Sequence, residues 1–404
     1  MRAVPASSAC RAFQTSIQLT AISKWIQRAH PVAKRYVQTS IALGVDRRAG
    51  APAWRVGQVR QASRPRFHWF VRPLPPMRGA VTGAWHAGPN DKADQEEIEM
   101  ADTTTGTTRE RGWRPAEPPA FSARKVGEVV VTTIADGYRT FPLADGFVQN
   151  AGRDEINAAL AEAAMPADEM TIVFNPVLLE RAGQRILIDT GYGPAAGAQP
   201  GSTVGQTTKS LRAAGLAPEA IDLVIISHFH GDHINGLLDG DSNPVFPNAE
   251  IVVPEKEWAY WMESDAAETA GGPRIKENLD NARRVFGPLR ERVARYAWDA
   301  EVAPGLTALG TPGHTPGHTS FRLESAGESL FIQSDVTNHP ALFARHPGWH
   351  PAFDMDPQQA EATRRRVYDM LAAEKLMVQA FHYPFPCRAR IEKAGDGYRP
   401  VALD

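Results

Sequence analysis

The sequence predicts an α/β or layered α+β protein, and two observations support that class. Short apolar runs rich in β-branched residues, such as 221–226 and 249–254, alternate with amphipathic segments such as 206–214. Side chains able to bind metal follow several of these runs, as His228 follows 221–226. Alternating strands and helices build layered sheets, and such folds place their chemistry at strand ends.

The elements follow one another from about residue 126 to the C-terminus. We predict strands on either side of a turn at Asp136-Gly137, and two strands within 171–193 joined by a turn at Ala182-Gly183. Asp356 and Pro357 are typical of a helix start. The remaining predicted strands are 221–226, 249–254, 306–309, 329–333 and 375–381, and the predicted helices are 206–214, 255–262, 278–295 with a break at Gly287-Pro288, and 357–373.

Composition and charge exclude several classes of protein. The 404 residues are 43% hydrophobic and 22% charged, and no apolar run approaches the length of a membrane span. The net charge of −2 divides into +13 for residues 1–90 and −15 for the rest, which makes the larger part a poor binder of nucleic acid. Two cysteines, Cys10 and Cys387, exclude a disulfide framework.

The change in net charge and composition along the chain suggests three segments: a basic extension over 1–99, a linker over 100–125 and a folded domain over 126–404. Three interpretations of 1–99 stay open. The working protein starts at Met100, or 1–99 is a targeting segment of transit-peptide composition, or it is a disordered basic arm. Without a targeting function, the expected location is the cytoplasm.

Seven candidate metal ligands stand out. Each follows an apolar strand-like run within a few residues, so all are expected at one edge of the sheets. Imidazole and carboxylate ligands suit Zn, Mn, Fe or Co, and seven are too many for one tetrahedral zinc. They suit two metals that share a carboxylate. The seven residues are His228, His230, Asp232, His233, His314, Asp335 and His382.

The spacing of the first four residues supports two metal sites. Side chains two positions apart in an extended stretch point the same way, so His228 and His230 reach one metal. Gly231 permits a turn that lets Asp232 and His233 reach a second metal.

These residues stand in motifs that resemble the metallo-β-lactamase fold superfamily. HFHGDH resembles its HxHxDH signature, TPGHTPGH its third-histidine loop, FIQSDV its bridging-aspartate strand, QAFHYPFP its last-histidine strand and ILIDTG its early strand motif. The likeness covers roughly residues 126–395. It implies a four-layer αβ/βα sandwich of the α+β class, with the metals at one edge.

The resemblance also implies a division of the ligands. His228, His230 and His314 would bind one metal, while Asp232, His233 and His382 would bind the other, with Asp335 between them. Two divalent ions, with zinc expected first, lower the pKa of a shared water, and the resulting bridging hydroxide attacks an ester, lactone or phosphotriester centre. Asp232 and Asp335 are the expected catalytic residues, with Asp232 relaying a proton.

Departures from the family's motifs narrow the range of substrates to be expected. Asp335 replaces the cysteine of some zinc β-lactamases, and the 22 residues after His382 are too few for a glutathione-binding or nuclease domain. Asn338 stands where related homoserine lactonases often carry tyrosine. The overall likeness favours the methyl parathion hydrolase-like and quorum-quenching lactonase-like branch. This branch implies a small-molecule substrate and, if the chain associates, a homodimer, with no nucleic acid or membrane partner.

Two alternatives stay open for the function. The first is a mononuclear iron dioxygenase of the same fold, resembling persulfide dioxygenases, which use fewer of these ligands. The second is a closed structural metal centre without activity.

Other residues near the motifs have expected supporting roles. Asp189 and His318 are expected to orient the ligands, whereas His339, His346 and His350 are structural or line a substrate pocket. The aromatic candidates for the pocket, each of which is as readily a core residue, are Phe147, Phe229, Trp258, Trp261, Phe343, Trp349 and Phe353.

Overall fold

The computed structural model describes residues 120–403. The predictions for residues 1–99, and for 100–119 of the expected linker, lie outside the described residues. Strand β1 begins at Phe121 and pairs with the following strand along its whole length. The expected domain boundary at residue 126 is therefore too late, because this first strand already belongs to a central sheet.

Two mixed seven-stranded sheets form the centre of this region. In the first, the order is β1-β2-β5-β6-β7-β8-β9, and β6 to β9 run parallel. Its strands are β1 Phe121–Val126, β2 Val129–Ile134, β5 Val177–Arg181, β6 Gln184–Ile188, β7 Leu223–Ile225, β8 Glu250–Pro254 and β9 Val293–Tyr296.

The second sheet follows chain order from β10 to β16, with one parallel pair between β13 and β14. Its strands are β10 Glu301–Ala303, β11 Leu306–Gly310, β12 Thr319–Ser325, β13 Glu328–Ile332, β14 Met377–Gln379, β15 Arg388–Ala394 and β16 Gly397–Ala402. Two further strands, β3 Gly137–Pro142 and β4 Glu169–Phe174, pair as a separate antiparallel ribbon.

Helices accompany the sheets. The longest is α8, whose N-cap Asp356 accepts a hydrogen bond from the backbone N–H of Gln359, as the sequence predicts. None of the helices in residues 120–403 combines the length and apolarity needed to cross a membrane. The α-helices are α1 Arg153–Glu162, α2 Pro194–Gly197, α3 Thr207–Ala213, α4 Gly231–Ile234, α5 Glu255–Trp258, α6 Ala266–Ala270, α7 Pro273–Phe286 and α8 Pro357–Glu374.

Strand alternation separates the core into layers. On β5, Leu178 packs with residues of α3 and α7, whereas Leu179 packs between the two sheets. On β13, Leu330 faces the first sheet and Phe331 packs against α8. This order of helices, sheet, sheet and helix is the four-layer αβ/βα sandwich that the sequence motifs predicted.

Two details of the predicted elements were wrong. The stretch 171–193 contains three strands, because the chain leaves the β3–β4 ribbon at Asn175-Pro176 before it enters β5. The segment 278–295 is helical only to Phe286, and its last residues form β9. The helix predicted over 255–262 is confirmed, and its second part, Ala259–Glu263, is a π-helix.

The sequence interpretation also missed several elements, among them α1, β12, β15 and β16. The hairpin of β15 and β16 carries charged residues on one face, as in Arg390 and Glu392, and is weakly apolar. Such a strand is stabilised by its pairing with a neighbour, which local sequence does not reveal.

Candidate metal centre

Strand ends bring the seven predicted ligands together at one edge of the sandwich. His228 and His230 follow β7, and Asp232 and His233 lie on the short helix α4 that begins at Gly231. The other three residues follow β11, β13 and β14 by three or four positions; they are His314, Asp335 and His382.

The first group of ligand atoms consists of three imidazoles. The ring nitrogens offered by His228, His230 and His314 lie within 4.8 Å of one another. His230 Nδ1 is 3.2 Å from His228 Nε2 and 2.9 Å from His314 Nε2. Burial holds the pKa of His228 and of His230 well below its ordinary value, which keeps both imidazoles in the neutral form that binds metal.

The second group mixes imidazoles and carboxylates. Asp232, His233, Asp335 and His382 offer ligand atoms that also lie within 4.8 Å of one another. His382 Nδ1 lies 2.7 Å from the backbone carbonyl of Val173, so this nitrogen donates and Nε2 faces the centre. The two groups match the division of ligands that the resemblance implied.

Asp335 lies between the two groups. One of its carboxylate oxygens, Oδ2, is 3.0 Å from His382 Nε2 and 3.3 Å from His314 Nε2, which belong to different groups. Burial raises the pKa of Asp335, but the charges of His382 and His233 outweigh burial and hold that pKa well below its ordinary value. Asp335 is therefore an ionised carboxylate within reach of both groups.

The donor set fits divalent metal ions. Among the described residues, His233 Nε2 and Asp335 Oδ1 are buried and lie 3.2 Å apart, and neither makes a hydrogen bond with good geometry, which is costly for polar atoms. A cation bound by both atoms would satisfy them. Nitrogen and carboxylate donors without cysteine suit Zn, Mn, Fe or Co.

Further carboxylates and a histidine hold the ligands in place, as expected for Asp189 and His318. Asp189 Oδ2 is 2.8 Å from His233 Nδ1, while Asp189 Oδ1 accepts the backbone N–H of Ser227. His318 Nε2 accepts the backbone N–H of Asp335 at 3.0 Å. These contacts leave His233 Nε2 and the Asp335 carboxylate facing the centre.

A buried ion pair that the sequence interpretation did not identify supports His314. Its Nδ1 is 2.9 Å from Asp354 Oδ1, and Asp354 Oδ2 accepts a hydrogen bond from Arg364 Nη2 at 2.9 Å. Arg364 also donates to the backbone carbonyl of Val336, next to Asp335. The arginine of helix α8 therefore reaches His314 through Asp354 and contacts the backbone next to Asp335 directly.

Glu257 is a second support that the sequence interpretation did not identify. Its carboxylate accepts the backbone N–H of Phe229 at 2.9 Å and that of Gly317 at 2.7 Å. It thereby joins the HFHGDH loop to the TPGHTPGH loop. A Cβ on Gly317 would lie 2.3 Å from the backbone nitrogen of Glu257, so this close approach requires glycine. A glutamate at the start of a helix reads as a surface residue, and no local signal marks it as buried.

The centre lies in a cavity of about 660 Å³. One wall is apolar and includes Phe141, Ile172 and Phe174 of the β3–β4 ribbon, and the other carries Arg274 and Asn278 of α7. The complete lining is Arg139, Phe141, Ala144, Asp145, Gly146, Phe147, Ile172, Phe174, Tyr192, His230, Gly231, Asp232, Asn235, Arg274, Glu277, Asn278, Asn281, His314, Asp335, Asn338, Ala352, Phe353 and His382.

Two of the aromatic pocket candidates, Phe147 and Phe353, line the cavity. Phe229, Trp258 and Trp261 are buried in the core beside α7. The two other aromatic candidates, Phe343 and Trp349, pack near α1 and do not line the cavity. His339, His346 and His350 are also absent from its lining, which favours their structural interpretation.

The protein is thus a four-layer sandwich with a candidate metal centre at one edge of its sheets. Comparison of its sequence with protein families identifies the family to which it belongs. Residues 175–380 match the model of the metallo-beta-lactamase superfamily, about half of the chain. The chain therefore belongs to the metallo-beta-lactamase superfamily, as its motifs predicted.

Curated relatives are N-acyl homoserine lactonases. The chain is 33% identical over 122 residues to AttM of Azorhizobium caulinodans, covering 30% of this chain and 43% of that protein. It is 29% identical over 171 residues to the lactonase of Bacillus cereus, covering 42% of this chain and 58% of that protein. The chain thus spans about half the length of the curated relatives it matches.

Solved structures share the fold over more of the chain. The dizinc quorum-quenching lactonase AidC, in complex with a homoserine product, aligns with a TM-score of 0.66 and 25% identity, covering 70% of this chain and 98% of that one. The hydrolase AbOPH of the beta lactamase superfamily aligns with a TM-score of 0.64, at the same identity and coverage.

Proposed function

We propose that this protein is a metal-dependent hydrolase with a binuclear centre that acts on lactone or ester bonds. The observation that carries the proposal is the position of Asp335 between two groups of metal-binding atoms on the wall of a substrate-sized cavity. A closed structural site would not need an open cavity beside its ligands. The similarity to lactonases, AidC among them, supports a carbonyl centre as the point of attack.

We assign His228, His230 and His314 to one ion and Asp232, His233 and His382 to the other, with Asp335 shared. When bound, two such ions supply Lewis acidity and lower the pKa of a water toward neutrality. The protein contributes five imidazoles, of which burial keeps those of His228 and His230 neutral, an ionised carboxylate within reach of both groups, and a partly apolar cavity that binds the substrate. Zinc is the expected metal, because a neighbouring structure of this fold is a dizinc lactonase.

Asp232 is the proposed proton carrier. Its side chain is 16% exposed, whereas that of Asp335 is 4% exposed, and both line the cavity. Burial raises the pKa of Asp232, but His233 outweighs it and lowers the pKa to about 2. An ionised carboxylate facing the substrate can accept a proton from the attacking water and deliver it to the leaving oxygen.

The first test is elemental analysis of the full chain, together with a substrate panel of lactones, aryl esters and phosphotriesters. We expect about two equivalents of Zn, Mn or Co per chain, with hydrolysis of lactones or esters that chelation abolishes. We expect Asp335→Asn to lose metal and to lower kcat/KM by at least about 10², while Asp369→Asn on exposed α8 changes neither.

Other outcomes separate the alternatives. One equivalent of iron, with no hydrolysis, would favour the mononuclear dioxygenase. Hydrolysis of phosphotriesters in preference to carbonyl substrates would move the assignment to the methyl parathion hydrolase-like branch. A protein that takes up no metal and stays folded after chelation would contradict the binuclear centre.

A further inference from the structure

Tyr192 is the one residue with a hydroxyl group among the described residues that line the cavity. We propose that this hydroxyl is a further catalytic group, which donates a hydrogen bond to the substrate oxygen that gains negative charge during hydrolysis. This inference rests on the proposed function and adds a named donor to it. No hydrogen bond within residues 120–403 occupies the hydroxyl, although the Tyr192 backbone N–H donates to Asp136 at 3.0 Å.

The surroundings of the ring fix where the hydroxyl lies. The ring of Tyr192 packs edge-on against Phe174 at 4.8 Å between centroids, and Phe174 packs edge-on against the ring of His382 at 5.4 Å. The guanidinium of Arg139 lies 4.1 Å from the Tyr192 ring centroid on its face. A ring held by a phenyl edge and a cation has little freedom to turn, so its hydroxyl is already oriented.

The phenol stays protonated at neutral pH and therefore acts as a donor. Burial raises the pKa of Tyr192 above its ordinary value, and the nearby carboxylate of Asp232 adds to this effect. At such a pKa the group cannot serve as a general base. A positioned neutral donor stabilises negative charge without adding a charge of its own.

The chemistry needs such a donor at one definite step. Addition of a hydroxide oxygen to the carbonyl carbon forms a C–O bond and moves the π-electron pair onto the carbonyl oxygen. Return of that pair breaks the bond to the leaving oxygen, which receives the proton held by Asp232. Tyr192 transfers no proton in this scheme, and its hydrogen bond becomes stronger as negative charge accumulates on the substrate oxygen.

Among the neutral amide donors that line the cavity, Asn338 is the strongest competitor, because it lies nearest in sequence to Asp335. It also lines the cavity, three residues after Asp335, and it is 5% exposed. The phenol is favoured because its ring is held by two side chains, Phe174 and Arg139, whereas no hydrogen bond or ring contact in the described residues fixes the amide of Asn338. A comparison of single variants at the two positions separates these donors.

The test uses the full-length zinc-loaded protein and two readouts. The first is kcat and KM for a series of aryl esters and lactones. The second is the affinity for hexylphosphonate, a tetrahedral anion that mimics the charge of the transition state, measured by calorimetry. The variants are Tyr192→Phe, which removes only the hydroxyl, Asn338→Ala, and the control Tyr138→Phe on the β3–β4 ribbon outside the cavity lining.

We expect Tyr192→Phe to lower kcat on the order of 10² with little change in KM, and to weaken hexylphosphonate binding, because one donor to the charged oxygen is lost. The control should match the wild type, and Asn338→Ala should have a smaller effect than Tyr192→Phe. Equal kcat and equal phosphonate affinity in Tyr192→Phe and wild type would overturn the inference, as would a larger loss in Asn338→Ala.

The two readouts also separate this inference from the proposed function. If the wild type hydrolyses no substrate, the proposed function fails, and the phosphonate affinities still decide whether Tyr192 donates to an anion at the centre. If the wild type is active and only the Tyr192 result is negative, the hydrolase proposal stands without this donor.

Discussion

Two of the supporting carboxylates each orient one imidazole of the candidate centre. Asp189 contacts His233 and Asp354 contacts His314, and in both pairs the carboxylate faces Nδ1 of the ring. An imidazole that donates through Nδ1 presents the lone pair of Nε2 to the centre. The tautomer of these ligands is thus set by residues distant from them in sequence.

A buried histidine outside the ligand set, His339, contributes to the pH dependence of stability. His339 is buried, and burial lowers its pKa to about 3, with a further contribution from the charge of His382. In the unfolded chain its pKa is about 6.5. The unfolded chain therefore takes up a proton that the folded protein does not, so the free energy of unfolding falls as pH decreases from about 6.5 toward 3.

We predict that His339→Gln makes this pH dependence shallower, by up to about 1.4 kcal/mol per pH unit. The measurement is urea unfolding of the metal-free protein at pH 7, 5.5 and 4.5. His350→Gln, at a half-buried position facing Glu361, is the matched control. If the free energy of unfolding depends on pH identically in the wild type and in His339→Gln, the pKa of His339 is not lowered in the folded protein.

At the scale of elements, loops and helices are joined by buried charged groups. Glu257 of α5 joins the loop of His228 to the loop of His314. Arg364 of α8 holds Asp354, which supports His314, and the backbone beside Asp335. Buried charges contribute favourably only when each is fully hydrogen-bonded. Both residues meet that condition, so their loss affects the loops and the ligands together.

Replacement of Glu257 by glutamine should destabilise the protein by about 2–3 kcal/mol. The amide nitrogen would replace one of the two acceptor oxygens, so the backbone N–H of either Phe229 or Gly317 would face a donor and lose its acceptor. Chemical unfolding measures the loss, with Glu255→Gln on the exposed side of the same short helix as control. A Glu257→Gln protein as stable as the control would mean that these two hydrogen bonds do not fix the loops.

Removal of Arg364 should weaken metal binding as well as folding. Arg364→Met leaves Asp354 as an unpaired buried carboxylate, which costs about 3–5 kcal/mol, and frees His314 to turn, which lowers metal affinity about 10- to 100-fold. Competition with a fluorescent chelator measures the affinity, and Arg366→Met, exposed on the same helix, is the control.

A milder variant keeps the test informative if Arg364→Met does not fold. Asp354→Asn keeps the shape of the residue and can still accept the His314 N–H. We expect it to fold and to show a smaller loss of affinity than Arg364→Met. Metal affinity equal to that of the wild type in both folded variants would contradict the positioning role.

At the scale of the whole molecule, the centre joins the two sheets. Four of the seven residues follow strand β7 of the first sheet, and the other three follow strands of the second. Bound ions would therefore connect the two halves of the sandwich. A ligand that binds only the folded state stabilises it in proportion to the logarithm of its concentration over Kd.

Chelation should lower the melting temperature by about 8 °C or more. One ion at 1,000 times its Kd contributes about 4 kcal/mol, and each kcal/mol corresponds to about 2–4 °C for a domain of this size class. Differential scanning calorimetry of the full chain, with and without a chelator, tests this, and added zinc should restore the transition. A melting temperature that chelation leaves unchanged would argue against ions that join the sheets.

The sequence alone predicted the fold, and it predicted which candidate metal-binding residues lie together, because both depend on local patterns. Apolar runs of strand length, each ending at a histidine or aspartate, identify strand ends with chemistry, and Asp356-Pro357 identifies the start of α8. The motif HFHGDH places four metal-binding side chains in one loop, independently of how the rest of the chain folds. These residues were correctly brought together by motif and periodicity.

Tertiary structure decided what surrounds the ligands. Glu257 and Gly317 are 60 positions apart, and His314 and Asp354 are 40 apart, so no local pattern announces either contact. The same reason applies to Tyr192 and to the cavity wall of the β3–β4 ribbon, since pocket aromatics and core aromatics look alike in sequence. Burial and partners, which set the charge of a carboxylate or imidazole, exist only once the sheets have packed.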